Sequence, residues 1–339
     1  MSNFSIIIPT LNRASLLELA IKSFCLQKFS PDNFEIFVVD NGSTDNTKDI
    51  TETAINAFPS HKIRYICEPE PGLLSGRHRG VLEAKGEICI FVDDDIEADP
   101  GWLNAISESF QDPSVQLVGG RNLPKYETEP PEWLKWFWVE HPFGKLCGEL
   151  SLLDFGDNVQ EIDANYVWGL NFSIRRQALF DLGGFHPDCI AKHLQHFQGD
   201  GETGLTIKAN ETAYKAIYQP QALVWHQVPE SRMTYKYFEQ RYFYQGVCNS
   251  YTEIRNLESL PKTNYMQSVK ELLKTPFRAI KQLIRNTDNT NTEEKVLKTK
   301  LHQSFINGVN FHRTAIRQNP QLLEWVMKKD YWDYKLPKY

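Results

Sequence analysis

Through its first 120 residues the chain alternates short β-branched apolar runs with stretches of helical spacing, the pattern of βα units that build a mainly parallel sheet. The predicted strands cover residues 5–8, 35–39, 62–66, 87–92 and 115–118. Their apolar runs are near-continuous rather than alternating, so the sheet should be covered on both faces. Leu16, Leu17, Ala20, Ile21 and Phe24 recur at helical spacing after the first strand; Ser43-Thr44-Asp45 opens a second helix, and residues 72–84 supply a third that Gly86 ends. At Pro124 the pattern breaks: Pro130, Pro131 and the aromatic residues Trp133, Trp136, Phe137 and Trp138 read as an insertion over residues 121–160. Beyond it the spacing predicts a strand over 167–174, a helix over 176–182 stopped by Gly183-Gly184, a helix over 202–209 and a strand over 222–226.

After about Gly246 glycine becomes rare, and Val269, Leu272, Leu273, Phe277, Ile280, Leu283 and Ile284 follow a 3.6-residue period. The expected organisation is an α/β body over 1–246, whose halves are 1–120 and 161–246, with a helical C-terminal extension over 247–339 interrupted by a polar loop at 286–294. A chain of 339 residues can bury a substantial core without metal or disulfide help. Its 41% hydrophobic and 24% charged residues exclude disordered and collagen-like classes. A net charge of −6 argues against a uniformly basic nucleic-acid surface, so no nucleic-acid partner is expected. Six cysteines without a CxxC pair read as reduced thiols. With no secretory signal pattern and no apolar run near the ~18 residues that span a bilayer, the expectation is a cytoplasmic protein. Lys262, Lys270, Lys274, Arg278, Lys281 and Arg285 accompany the apolar stripe of the tail. That pattern suits either peripheral contact with an anionic membrane face or ordinary packing on the body.

The chemistry concentrates at strand ends. The run Ile88-Cys89-Ile90-Phe91-Val92 leads into Asp93-Asp94-Asp95, three acids at the carboxyl end of a buried strand, where open α/β sheets bind ligands. Clustered carboxylates repel one another, and a hard divalent cation that bridges to substrate phosphates, Mg²⁺ or Mn²⁺, rationalises them better than a solvated turn does. Asp40 ends the second strand, where a carboxylate can accept hydrogen bonds from a nucleobase or ribose, or simply cap the turn Asn41-Gly42-Ser43. Pro9-Thr10-Leu11-Asn12-Arg13 ends the first strand on the same rim. The loop after the first strand lacks GxGxxG and no GxxxxGK[ST] occurs anywhere, which disfavours dinucleotide oxidoreductases and P-loop NTPases. Arg232 and Arg241 could hold phosphate as bidentate donors, with solvated or salt-bridged arginines as the default reading. His193 and His196 form an HxxH pair too isolated for a zinc site. The tryptophans of the insertion, with Phe143, are expected to pack in a core, with stacking on sugar rings or a lipid interface as the other readings.

Taken in order, Ile6 to Arg13, Val38-Val39-Asp40-Asn41-Gly42-Ser43-Thr44-Asp45, the series Gly72, Arg77, Gly80, Ala84, Gly86, and Phe91-Val92-Asp93-Asp94-Asp95 resemble the family 2 glycosyltransferases of the GT-A fold, up to about Gly246. The resemblance implies a nucleotide-sugar donor, a UDP-sugar first of all, bound by Pro9, Thr10, Asn12, Arg13, Asp40, Gly72, Arg77, Asp93 and Asp94. It also implies a Mn²⁺ or Mg²⁺ ion on Asp95, with Asp93, and His226 as a further ligand or phosphate contact. Trp168, Gly169 and Asn171, with Gly183-Gly184-Phe185, look like the acceptor region, and the acceptor would be a glycan or a lipid-linked sugar. Where the family commonly shows a Glu-Asp pair, this chain has Asp200-Gly201-Glu202-Thr203-Gly204-Leu205. Aligning Leu205 puts Glu202 in the place of the catalytic base and leaves Asp200 as its competitor; a helix cap is the plainer role for either. The implied activity is metal-dependent inverting glycosyl transfer in polysaccharide or glycoconjugate assembly. The alternatives are a sugar nucleotidyltransferase, whose glycine-rich loop is absent after the first strand, and a non-catalytic glycan-binding protein of the same fold.

Overall fold

The computed structural model describes residues 3–257, Leu273 and 292–336. Its first half runs β1 (Phe4–Thr10), α1 (Ala14–Cys25), β2 (Phe34–Asp40), α2 (Thr47–Ala57), β3 (Lys62–Cys67), α3 (Leu73–Glu83), β4 (Ile88–Val92), β5 (Ile96–Ala98), α4 (Trp102–Ser109) and β6 (Val115–Tyr126). The second half comprises β7 (Val139–His141), β8 (Gly144–Cys147), β9 (Leu152–Asp154), β10 (Gln160–Ile162), β11 (Asn171–Arg175), α5 (Arg176–Asp181), α6 (Glu202–Glu211), β12 (Lys215–Val228), α7 (Tyr235–Asn256), α8 (Thr292–Gln318) and α9 (Pro320–Val326).

Strands β3-β2-β1-β4 pair in parallel, as the βα pattern predicts. Strands β1, β2 and β4 are buried along their whole length, alternate side chains feeding the cores on the two faces of the sheet. Strand β3 departs from the continuous apolar expectation: it alternates buried and exposed because it is the edge of the sheet. Beyond β4 lies β11, antiparallel to β4 and β6, while β12 runs parallel to β6. The antiparallel β11 matters for function. Because Asn171 pairs with Val92, the chain entering β11 arrives at the carboxyl end of β4, beside the acid triplet.

Several boundaries differ from the sequence expectation. The strand expected over 115–118 continues through Pro124 to Tyr126, where Pro124 stands opposite His226 of β12, so the insertion begins after Tyr126 rather than at 121. The strand expected from 167 starts at Asn171, after a short turn at Ala164–Tyr166, and the last strand extends on both sides of 222–226. The aromatic insertion packs as a core: Phe137 and Phe238 lie 4.6 Å apart, and Trp133 meets Phe238 edge-on at 5.0 Å. Thr292, Glu293 and Glu294 form the first turn of α8 instead of a loop. The basic and apolar positions of the tail from 262 to 285 lie outside the described residues, except for buried Leu273. Among the described residues no helix is long and apolar enough to cross a membrane.

The expected boundary at Gly246 falls inside α7, and the C-terminal elements after it pack onto the body. Ile316, Leu322, Trp325, Tyr331 and Tyr334 share one core cluster with Phe91, Phe172 and Phe185. The Tyr331 carbonyl receives a hydrogen bond from His78 Nδ1 at 3.1 Å, His78 Nε2 accepts the Phe185 N–H at 3.0 Å, and Trp332 stacks on the ring at 4.1 Å. Burial pushes His78 down to about 3, so it is a neutral clamp between α3 and the C-terminal residues. Helices α7 and α8 meet through glycine: a side-chain carbon at Gly246 would lie 2.0 Å from the Phe305 carbonyl oxygen, and one at Gly308 would lie 2.0 Å from that of Phe243. Gly246→Ala should therefore force these backbones apart and destabilise the protein by about 2 kcal/mol or more. Denaturant unfolding measures this, and a midpoint equal to that of the parent would refute it.

Candidate active site

The rim of the sheet gathers the acids with their counter-charges. In the first strand, Thr10 donates its hydroxyl to Asp94 Oδ2 at 2.7 Å, and Arg13 Nη1 reaches Asp94 Oδ1 at 2.8 Å and Asp95 Oδ2 at 2.9 Å. Arg232 Nη2 adds a second guanidinium to Asp95 Oδ2 at 2.7 Å. The pairing of β12 with β5 sets Ile96 opposite His226, and this register carries His226 Nε2 to 3.4 Å from Asp95 Oδ1. Burial opposes ionisation of Asp95, whose side chain is 2% exposed, but His226, Arg232 and Arg13 more than offset it and hold the carboxyl well below the usual range. Asp94 goes the other way: burial, opposed by Arg13 and helped by the charge of Asp95, raises it to about 6. Burial and the neighbouring Asp95 also raise Asp93.

Three observations test whether a cation fits. Asp95 Oδ1 is a buried oxygen with no hydrogen bond. His226 Nδ1 is committed to the Leu150 carbonyl at 2.9 Å, so in the neutral ring Nε2 carries the lone pair, which accepts from Arg232 Nη1 at 2.8 Å and lies 3.4 Å from Asp95 Oδ1; a cation seated there would displace that guanidinium. An oxygen and an imidazole nitrogen form a donor pair that Mn²⁺ accepts readily and Mg²⁺ less so. Asp93 does not complete a cage, its carboxylate lying nearest Arg77, and among the described residues no three or more His, Cys, Asp or Glu side chains converge as one. Two protein donors with substrate phosphates completing the shell is the usual arrangement for a hard cation at a phosphate site.

Arg77 joins the two halves. It projects from α3 with its side chain 3% exposed, lies over the Phe185 ring at 4.9 Å, and places Nη2 3.9 Å from Asp93 and Nη1 3.3 Å from Glu202 Oε2. Burial would lower its pKa, but Glu202 and Asp93 reverse that. Glu202 opens α6, where the helix dipole favours its negative charge, and its other oxygen accepts the Gly169 N–H at 3.3 Å. A side-chain carbon at Gly169 would lie 2.2 Å from Arg77 Nη2, so any larger residue there would displace the guanidinium from its place between the acids. Glu202, 27% exposed, also borders a cleft of about 630 Å³ together with Trp168, Arg241, Tyr242 and residues of α8. Asp93 and Glu202 thus flank one buried cation.

The remaining predicted residues separate clearly. Asp200 is buried, accepting from Thr252 at 2.7 Å and lying 2.6 Å from His186 Nδ1; its side chain does not cap α6. Burial would raise Asp200, but His186 and Thr252 outweigh it and keep the carboxyl low. Asn171, expected in the acceptor region, is instead a core amide between Trp102 Nε1, Asn122 and the Ala222 carbonyl, because the strand it begins is central in the sheet. Asp40 accepts the Ser43 N–H at 2.8 Å and the Tyr65 hydroxyl at 2.7 Å. Asn12 accepts from the Thr44 N–H, tying the first two strand-end loops together. The Gly72 N–H donates to the side chain of Asn41, whose amide also reaches the Glu68 carbonyl. Asn41 was legible only as a turn residue, and its loop-holding role depends on the facing chain at 68–75. Sequence reasoning also missed His302 and Phe305 of α8, about 100 residues beyond Glu202 and marked by no motif.

The profile of glycosyl transferase family 2 matches residues 5–182. The chain belongs to this family. Glycosyltransferase AglE of Haloferax volcanii is 31% identical over 226 residues, covering 66% of this chain and 66% of its own. Glucosyl-dolichyl phosphate glucuronosyltransferase of the same organism is 27% identical over 179 residues, covering 52% of this chain. The chain thus spans 54% and 66% of the length of these two curated relatives. Mannosyltransferase PcManGT from Pyrobaculum calidifontis, solved in complex with GDP-Man and Mn²⁺, shares the fold with a TM-score of 0.55 at 20% identity, covering 98% of this chain and 88% of that one. The GT-A arrangement expected for a family 2 member is therefore the fold of this chain.

Proposed function

We propose that this protein moves a glycosyl unit from a nucleoside-diphosphate sugar to a hydroxyl of a glycan or lipid-linked acceptor, with inversion at the anomeric carbon and dependence on Mn²⁺ or Mg²⁺. The observation that carries this reading is Arg77, buried between Asp93 on the donor side and Glu202 beside the cleft. In this reading the nucleoside would lie along the carboxyl ends of β1 and β2, by the loops that carry Asn12 and Asp40. Asp95 and His226 would hold the divalent ion, which supplies charge neutralisation for the leaving diphosphate when bound. Arg13 and Arg232, already oriented by Asp95, add cationic donors beside that group. Glu202 takes the proton from the attacking acceptor hydroxyl, and Arg77 and the Gly169 N–H hold its two oxygens in place until that transfer. Attack from the cleft side, opposite the diphosphate, inverts the sugar.

Titrating UDP- and GDP-sugars with and without Mn²⁺ tests the reading. Binding is expected to fall by about 10²-fold or more on chelation and to return with Mn²⁺, in line with the loss of a charge-stabilising partner worth several kcal/mol. Failure of every nucleoside-diphosphate sugar to bind in a metal-dependent way would end it.

A further inference from the structure

The cleft beside Glu202 runs between the turn Gly148–Leu150 and helices α7 and α8, with Trp168, Tyr242 and Phe305 on its walls. Its acids are already matched. Glu202 faces Arg77 and the Gly169 N–H, and Glu149 accepts the Tyr242 hydroxyl at 2.9 Å. Its cation is not matched. Arg241, half-buried in α7, makes no hydrogen bond or ion pair among the described residues. The acid acting on it, Asp188, stays beyond ion-pair distance and is engaged by the Cys189 N–H and by Gln198, both at 2.7 Å. On the same cleft, His302 Nε2 is sealed from solvent with no hydrogen-bond partner. A guanidinium drawn from water without a counter-ion is costly, and a charge-assisted bidentate partner removes that cost.

We propose that the acceptor carries an anionic oxygen group, a phosphate or a carboxylate, that seats on Arg241 beside His302 while the acceptor hydroxyl reaches Glu202. This deepens the proposed function and rests on Glu202 marking the acceptor side. The aromatic walls suit a sugar ring or a short apolar aglycone between the two polar ends. The anion selects substrates because a neutral acceptor leaves the Arg241 charge unpaired.

Equilibrium titration without nucleotide, using phenyl β-glucoside, phenyl β-glucuronide and phenyl phosphate, tests this. At least one charged probe should bind about 10-fold or more tighter than the neutral glucoside. That preference should vanish in Arg241→Gln, return in part in Arg241→Lys, and weaken in His302→Gln. Stronger binding of phenyl phosphate assigns the group to a phosphate, and stronger binding of the glucuronide assigns it to a uronate. Equal affinity of all three probes for the parent protein overturns the proposal, even if the Arg241 variants do not fold. A preference that survives in folded Arg241→Gln overturns it as well. Donor binding with Mn²⁺, measured separately, decides the glycosyl-transfer reading, so either conclusion can fall while the other stands.

Discussion

Asp95→Ala is expected to lower Mn²⁺-supported donor binding by about 10²-fold or more and to make the residual affinity insensitive to chelator. This carboxylate is the meeting point of the donor site: its Oδ2 takes Arg13 at 2.9 Å and Arg232 at 2.7 Å, and its Oδ1 faces His226. Removing one partner from a buried charge cluster typically costs about 3–5 kcal/mol because the charges left behind stay desolvated. Here two guanidiniums lose their shared anion together with the proposed ion's only carboxylate ligand. Asp95→Asn, which keeps the volume, separates shape from charge and should be nearly as impaired. Calorimetric titration of UDP with and without Mn²⁺ reads this directly. Undiminished metal-dependent affinity in both variants would remove Asp95 as a ligand.

Glu202→Gln is expected to cut kcat by about 10²- to 10⁴-fold, the range for loss of a general base. The amide oxygen can still accept from Arg77 or from the Gly169 N–H though not from both, and the volume is kept, so nucleotide affinity should change by no more than a few-fold. Asp200→Asn should behave differently. That side chain lies among buried groups, bonded to His186 and Thr252, so the expected loss is in stability, about 1–3 kcal/mol, read as a lower melting temperature. Single-turnover transfer and thermal unfolding of both variants separate the two acids. Full turnover in Glu202→Gln beside dead but stable Asp200→Asn would move the role to Asp200.

Legibility tracked the range of the interactions involved. The strands of the first half, the helices at α1, α3 and α5, and the triplet at the end of β4 could be read because each depends on neighbours within one βα unit. The family resemblance also singled out Arg77, Glu202 and His226, but only as members of separate motifs. Asn171 was placed in the acceptor region by its position in the resembling segment, and its core position shows only once β11 is known to sit between β4 and β6. The boundary drawn at about Gly246, where glycine becomes rare, falls inside α7, and the glycine there allows α7 and α8 to touch backbone to backbone, which no local pattern reveals.

The sequence by itself determined the βα body, the rim on which acids and basic residues would gather, and the family to which these belong, since apolar period and strand-end chemistry are local properties. The tertiary structure alone decided which acid faces the cleft and which is a buried strut. It also set His226 against Asp95 through the β5–β12 register, and turned the C-terminal helices into a wall of the site. Those outcomes depend on pairings between segments tens to hundreds of residues apart, whose free energy comes from surfaces that exist only once the chain has closed on itself.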